Sequence, residues 1–141
     1  MGDRANIVIR DNWSGDLHDK EAVFLYSHWG GTELPDVLRQ GLINGRGRWD
    51  DVSYLARILF DAMIGDSQGE ETGYGISTRL TDNEYDLLVL SDQRVYVLKQ
   101  SDYERRGFDA LGDSPSIRFA DYVAVERHWG NLTEHATEGR T

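Results

Sequence analysis

The residues His28, Trp29, Gly30, Gly31 and Thr32 have types and a spacing that could support chemistry. They follow an apolar segment typical of a strand and precede a segment with the signals of a helix start. Unpaired backbone N–H groups and the helix dipole favour an anion at such a corner, and glycines let a ligand approach the backbone closely. An imidazole could act there as a general acid or base. His28 is therefore the candidate catalytic residue, and Gly30, Gly31 and Thr32 are candidate ligand-binding residues.

Two arginines of a later turn, Arg46 and Arg48, could complete this site, because guanidinium groups bind phosphate in a bidentate geometry. Arg4, near the first strand, could add a third cation. Together these residues predict a site for a phosphate or a nucleotide. A purely structural interpretation stays open, in which the glycines form a tight turn, Trp29 covers the edge of the core and His28 bonds a backbone carbonyl.

The triplet His-Trp-Gly occurs twice, at residues 28–30 and again at 128–130. If the two strand ends lie side by side, His28 and His128 could approach one metal ion, for which zinc would want a third ligand. Candidates for that ligand are Asp11, Asp121 and Glu126. The alternatives are coincidence, or a shared turn in which each tryptophan covers the end of the sheet. No metal or cofactor is assigned from the sequence.

The charge of the chain is strongly negative. Its 141 residues include 25 acidic and 15 basic residues, giving a net charge of −10, and the only lysines are Lys20 and Lys99. Repulsion from phosphate disfavours general nucleic-acid binding, and a partner with a basic surface is favoured instead. An Asp-rich, Lys-poor composition suits high intracellular salt, although a genome rich in G and C would also replace Lys by Arg. The absence of cysteine excludes disulfides and thiolate metal sites.

The hydrophobic pattern predicts strands at residues 5–10, 22–28, 73–78, 85–90, 95–98 and 117–126. Proline and acidic residues at 32–36 predict the start of a first helix, which the turn at 44–48 ends. Asp50 or Asp51 is expected to cap a second helix that closes at Gly65. Residues 100–115 are expected to form an irregular connection.

This order of elements, β-β-α-α-β-β-β-β, predicts an α+β fold. Because sequential strands usually pair, we expect one mainly antiparallel sheet of five or six strands with both helices packed on one face. We expect residues 1–130 to form a single globular domain, and residues 131–141 to form a polar, flexible tail.

The segments MGDRANIVI, LYSHWGGTELP, RWDDVSYLARI and ETGYGIST, in this order, resemble a family of small proteins from tailed viruses and prophages. Their hosts are actinobacterial or of haloarchaeal type, and some members occur in the hosts themselves. The resemblance covers roughly residues 1–100. It implies a viral or mobile-element setting and no particular chemistry.

These observations predict a non-enzymatic protein-binding module: a small soluble accessory protein that meets a host or virion protein through its acidic face or its tryptophan-bearing loops. Trp13, in the first long loop, is a candidate anchor for such a partner. The alternatives are a phosphoester-handling enzyme with its site at residues 28–32, and a structural virion component that self-associates. The polar N-terminus lacks a signal peptide, and no apolar run is long enough to span a membrane, which predicts the host cytoplasm or the virion as the location.

Overall fold

A computed structural model describes residues 2–11 and 21–138 of the chain. The strands are β1 Ala5–Ile9, β2 Val23–Ser27, β3 Tyr74–Ser77, β4 Leu87–Ser91, β5 Arg94–Leu98, β6 Pro115–Arg118 and β7 Thr137–Glu138. The helices are α1 Leu34–Asn44, α2 Val52–Ile64, α3 Gln100–Arg106 and α4 Phe119–Tyr122. All seven strands join one sheet in the order β3-β2-β1-β4-β5-β6-β7.

The predicted α+β class and the mainly antiparallel sheet are confirmed. Among the paired strands only β1 and β4 run parallel, and every other neighbouring pair is antiparallel. The order of elements differs from the expectation because α3 and α4 interrupt the later strands and the two-residue β7 adds a seventh.

The two expected hairpins are present. β1 and β2 pair with Ile7 opposite Leu25, and β4 pairs with β5 across a two-residue turn. Asp92 and Gln93 in that turn both have positive φ, 55° and 56°. This geometry matches the right-handed twist of the flanking strands, so it fixes the register of the central hairpin.

Both faces of the sheet are covered, which explains why the central strands are apolar almost without alternation. Ile7 and Ile9 face the layer formed by α1 and α2, where they join the core with Leu38 and Leu59. Alternate residues such as Val8 face a second cluster on the opposite side of the sheet. The side-chain period of two divides each strand between these two cores.

The first two helices follow the sequence signals closely. Pro35 lies in the first turn of α1, and the Asp51 side chain accepts a hydrogen bond from the Tyr54 N–H at the start of α2. Gly65, with a φ of 53°, ends α2. Within the described residues, no helix is both long and apolar enough to cross a membrane.

The expected irregular connection at residues 100–115 is wrong. This segment forms α3 and then a 3-10 helix, Gly107–Asp113. Phe108, Ala110 and Leu111 of the 3-10 helix pack on the face of the sheet opposite α1 and α2. The apolar surface of β4 and β5 on that face needs a cover, and this segment supplies it.

The expected last strand at 117–126 is also wrong, because β6 ends at Arg118 and the chain turns into α4. Phe119 and Tyr122, three positions apart, are both buried by this turn. The buried Arg127 guanidinium then donates hydrogen bonds to the carbonyls of Tyr122, Asp121 and Asn131. A buried cation that is satisfied by backbone carbonyls fixes the chain in a compact turn.

The polar segment expected from residue 131 begins with residues that belong to the fold. Leu132 is buried in the core beside α1 and α2. Further on, Thr137 pairs with Ser116 as β7 joins β6. The boundary expected at residue 130 therefore falls inside the folded part of the chain.

Candidate functional site

The predicted corner at His28–Thr32 lies between the end of β2 and the start of α1. His28 Nδ1 is 2.7 Å from the hydroxyl oxygen of Tyr26, and the imidazole contacts the Trp29 ring edge to face, with the centroids 4.2 Å apart. His28 is half-buried. Its bond with a phenol differs from the backbone carbonyl contact expected in the structural interpretation.

The backbone N–H groups expected to bind an anion at this corner already have partners. Gly30 N–H donates to the Ser27 hydroxyl at 3.0 Å, and Gly31 N–H donates to the Asp3 carbonyl at 2.8 Å. Thr32 N–H donates to the Asp3 carboxylate at 2.7 Å. The protein thus supplies its own anion, Asp3, beside the start of α1, where the dipole favours negative charge.

Asp3 lies at the centre of a hydrogen-bonded group that we call the Asp3 cluster, formed by Asp3, Thr32 and Tyr85. The Thr32 hydroxyl donates to the carboxylate at 2.7 Å, and the Tyr85 hydroxyl donates to its other oxygen. Hydrogen bonds from Tyr85 and Thr32 lower the pKa of Asp3 below its ordinary value. The same bond with Asp3 raises the pKa of Tyr85.

The tight packing around residue 31 explains why a glycine is present there. A β-carbon at this position would lie 2.6 Å from the Asp3 carbonyl oxygen and 2.6 Å from the Tyr85 ring. Atoms of a real side chain cannot approach so closely. The absence of a side chain at Gly31 therefore serves the contact with Asp3 and Tyr85, and it leaves no open approach for a ligand on that side.

The structure does not bring Arg46 and Arg48 to the corner. Both lie beyond the far end of α1 from Thr32, and an eleven-residue helix is about 16 Å long. Arg46 lies over the Trp49 ring, with 5.4 Å between the guanidinium carbon and the ring centroid, and Arg48 lies 4.6 Å from the centroid of Tyr54. The two arginines are exposed and contact aromatic rings of their own turn and of α2.

The two His-Trp-Gly segments do meet, but through a tryptophan. Trp129 donates its indole N–H to the Gly31 carbonyl at 2.8 Å and stacks on Tyr85, with centroids 4.6 Å apart and planes at 14°. His128 is exposed, and its Nδ1 accepts the Gly130 N–H at 3.1 Å. The second segment follows α4 and forms a 3-10 turn, so it is not a strand end as the sequence suggested.

No cluster of three or more histidine, aspartate or glutamate side chains suited to a metal ion occurs in residues 2–11 and 21–138. The pairing of His28 with Tyr26, and of His128 with its own turn, gives each imidazole a local partner. Nothing in the described geometry directs the two rings toward one another.

A crevice of about 530 Å³ opens at the carboxyl ends of the parallel strands β1 and β4. Ligands of open sheets often bind at such a point, where the connections leave in opposite directions. The crevice is walled by Trp49 and Phe119, and Asp11, Asp50 and Asp92 lie along its lining. The lining also includes the buried Arg10, whose guanidinium donates to the Ser91 hydroxyl at 3.4 Å. Three carboxylates against one guanidinium leave the lining net negative, which does not favour a phosphate, so this crevice gives no support to the predicted phosphoester chemistry.

The two most exposed large apolar side chains of the described residues belong to β3, the edge strand of the sheet, and to the segment that follows its neighbour β2. Trp29 and Ile76 are 63% and 62% exposed. The Trp29 ring lies against Gly73, at whose position a β-carbon would be 2.8 Å from the indole Cδ1. We call Trp29, Gly73 and the strand β3 the β3 edge surface.

Sequence reasoning found Trp29 and the strand but missed Ile76 as a surface residue, because an apolar residue in a predicted strand is normally assigned to the core. The Asp3 cluster was also missed, since 29 positions separate Asp3 from Thr32 and 82 separate it from Tyr85. Trp13, the anchor expected in the first loop, lies outside the described residues. Comparison with protein-family models, with curated proteins and with solved structures gives no match to this chain.

Proposed function

We propose that this protein is a non-enzymatic protein-binding module, acting in the viral or mobile-element setting that the sequence resemblance implies. The observation that carries the proposal is the β3 edge surface, where Trp29 and Ile76 are both more than 60% exposed beside an open sheet edge. Aromatic and aliphatic anchors of this kind dominate the energetics of protein interfaces.

The net charge of −10 supports a partner with a basic surface. Charge of one sign steers a complementary protein toward the complex and opposes association with nucleic acid. A protein with an exposed apolar anchor and a large net negative charge can therefore select a partner that carries both apolar and basic groups.

The alternative of a phosphoester-handling enzyme at residues 28–32 has less support. The amides of Gly30, Gly31 and Thr32 donate within the protein, and two of the arginines expected to neutralise phosphate, Arg46 and Arg48, lie beyond the other end of α1. The third, Arg4, lies near the corner and pairs with Glu84 at 3.8 Å. A catalytic site would need donors that are free to stabilise charge in the transition state.

The test is affinity capture of the tagged protein from host cells, with matched surface variants. We expect Trp29→Ala and Ile76→Lys to lose a partner that the wild-type protein retains. Ile43→Lys is the control, because Ile43 is a 36% exposed apolar residue on α1, away from β3. Recovery of the wild-type protein alone, as a monomer, would count against the proposal, and recovery of a self-associated form would favour a structural virion role.

A further inference from the structure

The strand β3 is an edge of the sheet that the described residues form. Its only sheet neighbour is β2, with Leu25 opposite Ile76 and Tyr26 opposite Gly75. A strand in this position presents N–H and C=O groups on its outer side that a further strand could pair with.

The two edges of the sheet differ in how they are protected. The opposite edge, β7, is only two residues long, and very short edge strands offer little for a second chain to pair with. β3 has the sequence Tyr-Gly-Ile-Ser, with neither the lysine nor the proline that commonly blocks edge pairing. Its side chain that projects furthest into solvent is the apolar Ile76.

The charges around β3 are mostly negative. Glu70 and Glu71 are exposed in the segment that leads into β3, and Asp82 is exposed as well. Burial and, after it, the charge of Asp82 raise the pKa of Tyr26, while Arg4 acts in the opposite direction. None of these three carboxylates forms an ion pair with another described residue. Arg79, two residues after β3, is the one lysine or arginine between residues 66 and 86. Arg4 lies near Tyr26 of the neighbouring strand and pairs with Glu84.

We propose that an extended peptide segment with alternating apolar and basic residues binds here by adding a strand to the outer edge of β3. This inference rests on the proposed function and specifies its partner. Backbone pairing would supply affinity, while side chains on alternate positions would cover Ile76 and reach the carboxylates. Gly73 and Ile76 are three residues apart, about 10 Å along a strand, so they face opposite sides of the sheet. Ile76 lies opposite Leu25 on the side of α1 and α2, and the Trp29 ring lies against Gly73. One short added strand can therefore contact Ile76 with the side chains of one of its faces and Trp29 with those of the other.

A second copy of this chain is a poorer occupant of the same edge. Each copy carries a net charge of −10, and like charges oppose close association of two such chains. A basic peptide segment is instead attracted to the negatively charged protein. Because salt screens this attraction, the affinity of the segment should fall as salt is added.

The inference is tested with a synthetic heptapeptide of alternating lysine and valine, titrated into the full chain. We expect chemical-shift changes and slowed hydrogen exchange at the amides of residues 74–77. Ile76→Lys should weaken binding by about tenfold or more, since it removes an apolar contact and adds a like charge. Ile43→Lys should bind as the wild-type protein does.

Two further peptides test the mode of binding without altering the protein. N-methylation of alternate residues blocks the backbone donors, and replacement of lysine by glutamate reverses the charge, so both should abolish binding. Strand addition would be overturned if the N-methylated peptide bound as tightly as the unmodified one, or if Ile76→Lys bound the peptide as tightly as the wild-type protein. Protection from hydrogen exchange at strands other than β3 would overturn it as well. Self-association of the wild-type protein with protection of residues 74–77 would assign the edge to a second copy instead.

These outcomes are separable from failure of the proposed function. Suppose that a cellular partner is lost with Trp29→Ala but retained by Ile76→Lys, and that the β3 amides are not protected from hydrogen exchange. This result would support protein binding and exclude strand addition. Absence of any cellular partner, together with no binding of the lysine–valine peptide, would remove both.

Discussion

Substitution of Gly31 by alanine separates the two interpretations of the glycine pair at the corner. If Gly31 exists to let a ligand approach, alanine should leave the stability of the free protein unchanged. If it exists for internal packing, alanine should destabilise the fold. The structure favours packing, because the new β-carbon would lie 2.6 Å from both the Asp3 carbonyl oxygen and the Tyr85 ring.

The expected cost follows from what would have to move. Nonbonded carbon atoms prefer separations of about 3.5–4.0 Å, so the neighbours must retreat by about 1 Å. The Asp3 carbonyl is backbone that accepts the Gly31 N–H, and the Tyr85 ring is held by its stack on Trp129. Neither yields easily, and overpacking of this kind costs about 1–3 kcal/mol. We expect a loss of about 2 kcal/mol in the free energy of unfolding and a fall of about 8 °C in Tm.

The assay is urea and thermal denaturation followed by tryptophan fluorescence and circular dichroism. Gly47→Ala is the matched control, because a β-carbon at Gly47 would meet nothing within 4 Å, and its stability should change by no more than about 0.5 kcal/mol or rise slightly. The packing argument is refuted if Gly31→Ala unfolds with the same free energy as the wild-type protein. Loss of phosphate-compound binding at unchanged stability would instead restore the ligand interpretation.

Three further predictions concern the same region. Asp3→Asn should lower stability by about 1 kcal/mol at neutral pH, measured by urea denaturation. Because the pKa of Asp3 is lowered in the folded state, its contribution is present above the unfolded pKa and lost as the pH falls through the folded one. The difference between variant and wild type should therefore begin to shrink near the ordinary aspartate pKa of about 3.9 and vanish only below the lower folded-state pKa; a difference independent of pH would contradict this. Trp129→Phe keeps a ring but removes the donor to the Gly31 carbonyl, and it should cost about 1 kcal/mol with an altered near-UV spectrum. Tyr122→Phe removes a buried hydroxyl that donates to the Pro35 carbonyl at 2.7 Å and should cost about 1 kcal/mol by thermal denaturation, whereas an unchanged Tm would show that this bond is not needed.

Local signals predicted the first half of the fold well. The caps and breakers of α1 and α2 act within one helical turn, so Pro35, Asp51 and Gly65 could be interpreted directly from neighbouring residues. The central hairpin was equally local, since its apolar strands are separated by only two turn residues.

The second half was predicted less well because its structure depends on distant contacts. The apolar run after Ile117 has the composition of a strand, but burial of Phe119 and Tyr122 and the carbonyl partners of Arg127 stabilise a helical turn instead. Likewise, nothing beside Leu132 in the sequence indicates that α1 and α2 provide a place for it in the core.

The candidate site shows the same division. The sequence identified the corner at residues 28–32, and the structure places it between β2 and α1 as expected. The sequence could not reveal that Asp3 accepts the hydrogen bond of the Thr32 amide there. Asp3 and Thr32 are separated by 29 positions and meet only when β1 lies beside β2.

The sequence by itself determined the α+β class, the two helices of one layer, the central hairpin and the net negative charge, because periodicity, caps and net charge are properties of neighbouring residues or of composition. Only the tertiary structure decided that the second His-Trp-Gly contributes a tryptophan to the first one's corner, and that β3 stands at the edge of the sheet with Ile76 in solvent. Strand order and side-chain contacts across the sheet bring together residues that are far apart in the chain. They therefore cannot be predicted from patterns among neighbouring residues.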